Sequence, residues 1–460
     1  MQTIIKPQKH IYDLWSRPHV KDGEYLRQMK YVMRVDYKGR TFLHNNVTGQ
    51  LIALNLEEAK IVDYLPSAYS SVLNQLIEGH FLVPIEYDEY YQVSKIREVL
   101  RKLDDAHRDN SITSYIILPT TACNARCYYC FEQGVETVTM SEQTADNVVS
   151  YITKNCGTDK KVNIEWFGGE PTVAADRIDR ICKGLSENGV SYSSDMISNG
   201  YLFDEEMVAR AKTIWNLKHV QISVDGVEEK YNKIKAFVYH DGSPYQRVMR
   251  NVGLLLESGI RVGLRMNFDL ENHEDFYKLL DEAENRFKNK ELLNVNAYPV
   301  IGEYPDKDGR IRHGSDAWFE DQYVRLNNKA RSKGLYHIRR GVPFLKIIGC
   351  GADNKASATI NAKGAIVRCP EQFDDTQITG NVIQGITDIN MVNSWRNPSN
   401  YNKCRDCIFF PTCVKLKKCS ASNHCLFQDR NHLYEDAVKT SIDNWLNNNY
   451  SYSEGRRILK

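Results

Sequence analysis

Twelve cysteines restrict how this 460-residue chain can fold more than any other feature of its sequence. Three of them, Cys123, Cys127 and Cys130, lie within eight residues of chain. Five of the 22 residues from 404 to 425 are also cysteine, where the overall composition predicts about half of one. A hydrophobic core does not require thiols at such density. The distribution therefore predicts segments that are held together by metal bound to cysteine.

The composition is that of a globular protein without a strongly charged partner. Hydrophobic residues make up 42% of the chain, and 60 Lys and Arg nearly cancel 59 Asp and Glu, which gives no reason to expect nucleic-acid or membrane binding. Residues 1–16 lack the pattern of a signal peptide, and no apolar run approaches about 18 residues. We therefore expect a cytoplasmic protein, in which cellular reductants keep cysteines free for metal binding or catalysis.

The first 110 residues are predicted to form a small winged-helix-like α+β domain. Residues 30–54 alternate apolar and polar side chains across two turn signals, which predicts a three-stranded meander. Asn55, with Glu58 three residues later, is a cap for the helix that should follow. Further elements are predicted as helices at 70–78 and 90–106 and as a strand at 81–85.

From Ser114 onward, short apolar runs alternate with longer amphipathic segments, which is typical of strand–helix units around a parallel sheet. Six such units fit this span. Their strands are predicted at 115–118, 162–166, 191–197, 219–224, 262–268 and 293–298. After about residue 340 the periodicity fades. We therefore expect an α/β domain over 111–340, a cysteine-rich domain over 341–430 that depends on metal, and a C-terminal helix within 431–460.

The first cysteine group directly follows the first predicted strand of the sheet, at the edge where parallel sheets place their ligands. The spacing Cys123-x3-Cys127-x2-Cys130 brings together three thiolates, a set suited to iron–sulfur or zinc. Three cysteines leave one metal position open for a ligand or a reaction. A zinc knuckle is the alternative that the spacing alone leaves open.

This spacing resembles the signature of the radical S-adenosylmethionine (SAM) superfamily. The resemblance implies a partial (β/α)6 TIM barrel in which the three cysteines hold a 4Fe-4S cluster and the fourth iron binds SAM. In that family the cluster donates an electron, SAM is cleaved, and a 5′-deoxyadenosyl radical abstracts a hydrogen atom from the substrate. The resemblance also implies a low-potential electron donor such as a flavodoxin or ferredoxin.

The same resemblance implies SAM contacts at the ends of the following strands. The matching positions are Gly168, Gly169, Glu170, Ser198, Asn199, Ser223, Asp225 and Arg265, together with Tyr129 in the cysteine loop. In the family, the 168–170 motif contacts the methionine amino group, Arg265 would bind its carboxylate, and Tyr129 would lie near adenine. Without the family, these are turns, a structural salt bridge and a core tyrosine. Family members often carry His-Asp and then Arg where residues 231–235 read Tyr-Asn-Lys-Ile-Lys, so a contact at Lys235 is left open.

The later cysteines resemble the SPASM domain, an extension of radical SAM peptide maturases that holds two auxiliary 4Fe-4S clusters. Carried over by position, the ligands of the outer cluster would be Cys404, Cys407, Cys413 and Cys425. The ligands of the inner cluster would be Cys350, Cys369 and Cys419. The gap before Cys419 is five residues, where the family usually has three. A zinc ribbon over 404–425 is the alternative.

Only three cysteines are evident for the inner cluster, which leaves one iron open to a substrate thiolate, to water or to another side chain. Cys156 and Cys182 fall in predicted helices and are expected to be buried, inert thiols. From the open iron we predict a maturase that forms a Cys thioether in a ribosomally made precursor peptide. Carbon–carbon crosslinking or epimerisation of a peptide is the alternative, since neither needs a thiol at the cluster.

Two further functions are disfavoured by single residues. An anaerobic sulfatase-type maturase would place an acidic base where this chain has Pro370. A non-catalytic iron–sulfur protein would need neither an open cluster nor Glu170 in its motif.

The N-terminal domain resembles the element that many maturases use to bind a precursor's leader peptide by adding a strand to a sheet edge. A structural cap on the barrel is the alternative for this domain.

Overall fold

The computed structural model describes residues 1–300, 314–337, 341–398, 404–419, 427–447, 450–453 and 456–459. The contacts divide the chain into two compact units. The N-terminal unit comprises Met1–Arg108, Arg339–Gly349 and Asn397–Lys460. The sheet unit comprises Asp109–Ile338 and Cys350–Arg396. Both units therefore contain cysteines of the predicted C-terminal domain, whose bounds stay a prediction.

The N-terminal unit begins with seven strands and four helices. The strands are β1 (Gln2–Ile5), β2 (Tyr25–Gln28), β3 (Val32–Tyr37), β4 (Arg40–Asn45), β5 (Leu51–Ala53), β6 (Ser67–Ala68) and β7 (Leu82–Pro84). The helices are α1 (Lys9–Tyr12), α2 (Leu56–Asp63), α3 (Asn74–Glu78) and α4 (Glu89–His107). The predicted meander is confirmed as β3, β4 and β5, and β1 adds a fourth strand beside β5 that the sequence patterns did not predict.

Local sequence accounts for the turn and the cap in this region. Lys38 and Gly39 both have positive φ, 49° and 73°, which suits the two-residue turn between β3 and β4. The predicted cap of α2 is confirmed, because the Asn55 side chain accepts from Glu58 N at 2.8 Å and Glu58 Oε2 accepts from Asn55 N at 2.9 Å.

The sheet unit contains one ten-stranded sheet. Its strands are β8 (Ser114–Ile117), β9 (Lys161–Trp166), β10 (Ser191–Ser198), β11 (Leu217–Ser223), β12 (Arg261–Phe268), β13 (Leu293–Pro299), β14 (Ser357–Ile360), β15 (Ala365–Val367), β16 (Gly380–Asn381) and β17 (Gly385–Ile386). Strands β8 to β13 are parallel and follow sequence order, so the six predicted strands are confirmed. On the other side of β8 lies β14, also parallel, followed by three antiparallel strands.

Helices follow the strands of this sheet. They are α5 (Glu142–Asn155), α6 (Ala175–Glu187), α7 (Glu205–Thr213), α8 (Glu228–Lys235), α9 (Pro244–Glu257), α10 (Asp275–Arg286), α11 (Asp316–Ser332) and α12 (Ile389–Ser394). Alternate strand side chains, such as Ile164 and Trp166, are buried with the apolar faces of these helices in one core. The intervening strand side chains therefore occupy the opposite face of the sheet.

The N-terminal unit ends with α13 (Phe427–Leu446) and the hairpin of β18 (Tyr450–Ser453) and β19 (Arg456–Leu459). Helix α13 covers the first sheet, because Val438 and Ile442 share an apolar core with Met33 and Phe42. Within the described ranges, no helix combines the length and the apolar character that crossing a membrane requires.

A buried histidine lies in strand β4 of the N-terminal unit. His44 has no solvent exposure, and its Nδ1 lies 2.9 Å from Asn46 Oδ1. Its Nε2 is buried without a hydrogen-bond partner among the described residues. Burial lowers the pKa of His44 to about 4, and the hydrogen bond that Nδ1 makes to Asn46 Oδ1 opposes this by raising it. The folded unit therefore holds this ring neutral at pH values where an exposed histidine takes up a proton.

We expect the N-terminal unit to lose stability as the pH falls from about 6.5 to about 4, because the unfolded chain then binds a proton that folded His44 does not. The contribution of this residue is at most about 3 kcal/mol. Urea unfolding across this pH range should show a shallower acid loss for His44→Gln than for wild type. The exposed His10→Gln is the control, and equal pH slopes in all three proteins would contradict the assignment.

Candidate functional site

The first cysteine group lies in a loop that follows β8, as predicted. Cys123 Sγ accepts from Ala125 N at 3.4 Å, and Cys130 N donates to Cys127 O at 3.2 Å, so the loop turns on itself. The backbone of Arg126 donates to Lys235 O at 2.8 Å, which ties the loop to α8. All three thiols are partly buried.

Burial raises the pKa of each of these thiols, to about 12 for Cys123. The charge of Lys235 opposes this for Cys127, and the charges of Lys235 and Arg126 oppose it for Cys130. A thiol that stays protonated in the absence of metal becomes a ligand when the metal displaces its proton. No three His, Cys, Asp or Glu side chains in the described part of the chain converge on a single ion. In a 4Fe-4S cluster each cysteine binds a different iron, so this donor set suits the cluster.

Gly168 and Gly169, which follow β9, bring the backbone directly against the cysteine loop. A Cβ on Gly168 would lie 2.4 Å from Thr120 O, and a Cβ on Gly169 would lie 2.5 Å from Ala122 O. Gly168 also has a φ of 115°, which side-chain-bearing residues rarely adopt. Hydrogen bonds from Gly169 N to Thr120 O at 3.1 Å and from Glu170 N to Ala122 O at 2.9 Å close the contact. Both glycines are therefore required by the close approach.

Glu170 is a fully buried carboxylate beside this contact. It accepts from Ser198 Oγ at 2.8 Å, from Asn199 N at 2.7 Å and from Thr172 N at 3.2 Å. Burial raises its pKa, and these hydrogen bonds lower it. No Lys, Arg or His pairs with it among the described residues. A buried carboxylate that is balanced only by neutral donors is suited to a cationic ligand.

Asn199 connects this carboxylate to the cysteine loop. Its Nδ2 donates to Asn124 Oδ1 at 2.6 Å and lies 3.9 Å from Cys123 Sγ. Glu170, Ser198 and Asn199 were each predicted from the family's strand-end motifs, and the structure brings them together at the ends of β9 and β10. Their contacts to SAM stay a prediction.

A second buried network joins the loop to β11, β12 and α8. Lys235 Nζ lies 2.8 Å from Asp225 Oδ2 and 2.7 Å from Ser223 Oγ, and both charged side chains are almost completely buried. The Tyr129 hydroxyl donates to Asp225 and accepts from Lys235 Nζ at 3.1 Å. Asn267 Nδ2 donates to Asp225 Oδ1 at 3.1 Å. Tyr129 is therefore a polar member of the site rather than only a core residue.

Lys235 is a position near the cysteine loop whose role the sequence left open. Only its place in the sequence indicated this residue, because family members often have arginine at the matching position. The structure shows that the lysine still reaches the strand-end residues Ser223 and Asp225. Its charge also lies close enough to Cys127 to favour the thiolate.

Arg265 occupies β12 on the same face as Asn267. Its Nε donates to Asn267 Oδ1 at 3.0 Å, and its guanidinium lies 4.1 Å from the centre of the Tyr298 ring. The described residues supply no carboxylate within ion-pair distance of it. The guanidinium is held by neutral partners and is free to bind an anion.

Sequence reasoning missed a row of titratable side chains on the face of the sheet opposite the core shared with the helices. Glu165, Asp195, His219 and Arg261 are in register across β9, β10, β11 and β12. Burial and the charge of Asp195 raise the pKa of Glu165. Burial lowers the pKa of His219. The alternation of polar and apolar residues along these strands could have identified the row, because the parallel register aligns them.

The later cysteines divide between the two units. Cys350 and Cys369 belong to the sheet unit, where Arg368 Nε donates to Ala352 O at 2.9 Å and so ties the two segments together. The N-terminal unit holds the next four, Cys404, Cys407, Cys413 and Cys419. Cys425 lies outside the described residues. The ligand sets of the two auxiliary clusters therefore stay predictions. Cys156 and Cys182 are buried in the core of the sheet unit, as expected.

The fold and the cysteine loop agree with comparisons to known proteins. Residues 117–283 match the model of the Radical SAM superfamily. The matched segment runs from the end of β8 into α10. Members of this superfamily are enzymes that use a 4Fe-4S cluster and SAM, and the cysteine loop has the donor set for that cluster.

Individual relatives are distant. Fe-coproporphyrin III synthase of Methanosarcina barkeri (strain Fusaro / DSM 804) is 27% identical over 165 residues, which is 36% of this chain and 39% of that protein. This alignment thus spans well under half of the relative. Among solved structures, native anSMEcpe with bound AdoMet has a TM-score of 0.54 at 15% identity and covers 73% of this chain and 100% of that one. Streptococcus suis SuiB bound to precursor peptide SuiA has a TM-score of 0.50 at 14% identity, covering 85% and 94%. These similarities show the fold.

Lys235→Met should destabilise the sheet unit by about 3–5 kcal/mol, because it leaves Asp225 buried without its cation. Adding Asp225→Asn should recover part of this loss. Chemical unfolding of the single and double variants measures both effects. Lys230→Met on the same helix removes an exposed partner of Asp275, 3.6 Å away, and should cost no more than about 1 kcal/mol. A double variant no more stable than Lys235→Met would contradict the pairing.

Proposed function

We propose that this protein is a radical SAM peptide maturase that installs a crosslink, most simply a Cys thioether, in a ribosomally made precursor peptide. The observation that carries the proposal is the site at the ends of β8 and β9. There the three-cysteine loop lies against Gly168 and Gly169, and beside it Glu170 is buried without a cation. This arrangement provides ligands for a cluster and a carboxylate for a cationic cosubstrate.

Cys123, Cys127 and Cys130 would hold the 4Fe-4S cluster and leave one iron for SAM. When bound, the cluster and SAM supply a carbon radical that can abstract a hydrogen atom from a substrate. The contribution of the protein is to hold these groups and to orient them. The thiols are partly buried, and Lys235 and Arg126 place positive charge near them, which favours the thiolate form that the metal needs.

The proposed SAM contacts pair each charged group of the methionine with a side chain of opposite charge. Glu170 would accept the methionine ammonium, with Ser198 and Asn199 fixing the carboxylate through hydrogen bonds. Arg265 would bind the methionine carboxylate, since it has no carboxylate of its own. The ribose and adenine would be bound near Ser223, Asp225 and Tyr129. These polar residues are already joined in one network.

The peptide substrate is supported by two features. SuiB, one of the proteins with a similar fold, has been solved with its precursor peptide bound. The N-terminal unit of this chain carries a small antiparallel sheet whose outer strand β3 pairs with β4 on one side, and strand addition there would dock a leader peptide. The thioether is favoured because an open iron at an inner cluster of Cys350, Cys369 and Cys419 would bind a substrate thiolate.

Replacing Cys123, Cys127 and Cys130 together by alanine should remove about four irons per chain from a wild-type content of about twelve. The variant should also form no 5′-deoxyadenosine under reductant. Both quantities are measured after anaerobic reconstitution, by iron and sulfide analysis and by chromatography. Cys156→Ala is the matched control, because this thiol is buried in the core and should leave iron content unchanged. Full iron content in the triple variant would refute the cluster assignment.

Coexpression with a precursor peptide encoded beside the gene tests the reaction. Forming a thioether removes one hydrogen from carbon and one from sulfur, so the peptide should lose two hydrogens and one thiol that iodoacetamide can alkylate. Mass spectrometry measures both, with the triple cysteine variant as control. Loss of two hydrogens with every thiol retained would instead indicate carbon–carbon crosslinking. A mass that is unchanged in H2O but rises by one deuterium at Cα in D2O would indicate epimerisation.

A further inference from the structure

Arg97 of helix α4 binds the backbone of the cysteine-rich segment within the N-terminal unit. Its Nη2 donates to Phe410 O at 2.7 Å and to Pro411 O at 2.9 Å, and its Nε donates to Lys346 O at 3.1 Å. The guanidinium also lies 4.6 Å from the centre of the Phe410 ring. Residues 410 and 411 lie between Cys407 and Cys413, so the arginine fixes the loop that carries these two thiols.

The charge of Arg97 has no carboxylate to balance it. Only 7% of the residue is exposed, and the described residues place no Asp or Glu in ion-pair contact with it. The acidic groups whose charge would favour its cation are Cys413, Tyr31 and Tyr90. Burial raises the pKa of Tyr31, which keeps that hydroxyl neutral. The pKa of Arg97 is lowered by burial to about 10, so the guanidinium is still charged near neutral pH.

Fixing the loop does not by itself require a charge. Tyr31 holds Arg405 O with a neutral hydroxyl at 3.0 Å, and Asn46 holds Ile408 O with a neutral amide at 3.0 Å. Carbonyl groups nearby could be bound in the same way by a glutamine or an asparagine. A buried cation without a counterion costs several kcal/mol, which a negative partner must offset. Among the described residues, Cys413 is the acidic group whose charge most favours the Arg97 cation.

We propose that Arg97 is a positioning residue for the cluster of Cys404, Cys407 and Cys413, and that its charge offsets the negative charge of that cluster. The inference rests on the proposed function, together with the auxiliary cluster that the SPASM resemblance implies for these cysteines. A cation buried near an iron–sulfur cluster stabilises its reduced form and raises its reduction potential. Arg97 therefore has two effects, a geometric one through the carbonyls and an electrostatic one through its charge.

The experiment uses full-length protein reconstituted anaerobically, in a background of Cys123→Ala, Cys127→Ala and Cys130→Ala that removes the SAM-binding cluster. Arg97→Gln keeps donors for the carbonyls but removes the charge. Arg97→Lys keeps the charge but cannot reach all three carbonyls. Lys102→Gln is the matched control, because it removes an exposed charge from the same helix. Iron content and EPR-monitored potentiometric titration are the two measurements.

We expect Arg97→Gln to shift one cluster to a lower midpoint potential, and Arg97→Lys to keep the wild-type potential with lower iron content. Lys102→Gln should match wild type in both. Should Arg97→Gln fail to fold, the inference is decided by Arg97→Lys, whose potential must equal that of wild type. Wild-type potential and iron content in Arg97→Gln would overturn this inference but leave the proposed function standing. Unchanged iron after Cys404→Ser and Cys407→Ser would instead overturn the auxiliary cluster, and the inference with it.

Discussion

The close approach between the Gly168–Gly169 turn and the carbonyl groups of residues 120–122 is the contact on which the rest of the site depends. No side chain fits between the two backbones, so the end of β9 lies directly against the cysteine loop. Glu170, the next residue, is thereby fully buried beside that loop. The position of the carboxylate thus follows from two glycines rather than from the acid itself.

Two buried carboxylates of the site, Asp225 and Glu170, have different kinds of partner. Asp225 is paired with a buried lysine and is complete within the protein. Glu170 has only neutral donors. Burying an ion without its counterion is costly, and proteins retain such groups where a ligand or a reaction uses them. This asymmetry separates residues that hold the site together from residues that are prepared for a bound cation.

Much of this arrangement could be read from local sequence. The alternation of apolar runs located the six parallel strands from β8 to β13, and Asn55 with Glu58 located the start of α2, because these signals depend on neighbouring residues alone. Partners that are remote in sequence could not be predicted. The pairing of β1 with β5, the contact of Lys235 with Asp225 and the row from Glu165 to Arg261 each require the register between separate segments, which no local pattern contains.

The pairing of β14 with β8 has a consequence for biosynthesis. Ser357 is in register with Ser114, so more than half of the chain separates the two strands. During translation, the strand that leads into the first cysteine loop has β9 beside it early but keeps its other edge open until residues 357–360 emerge. Such a long-range contact forms late, and an unpaired edge invites association with other chains. The loop can therefore receive its metal before its own sheet is complete, and that interval is when the nascent protein is most exposed to aggregation and to oxidation of its thiols.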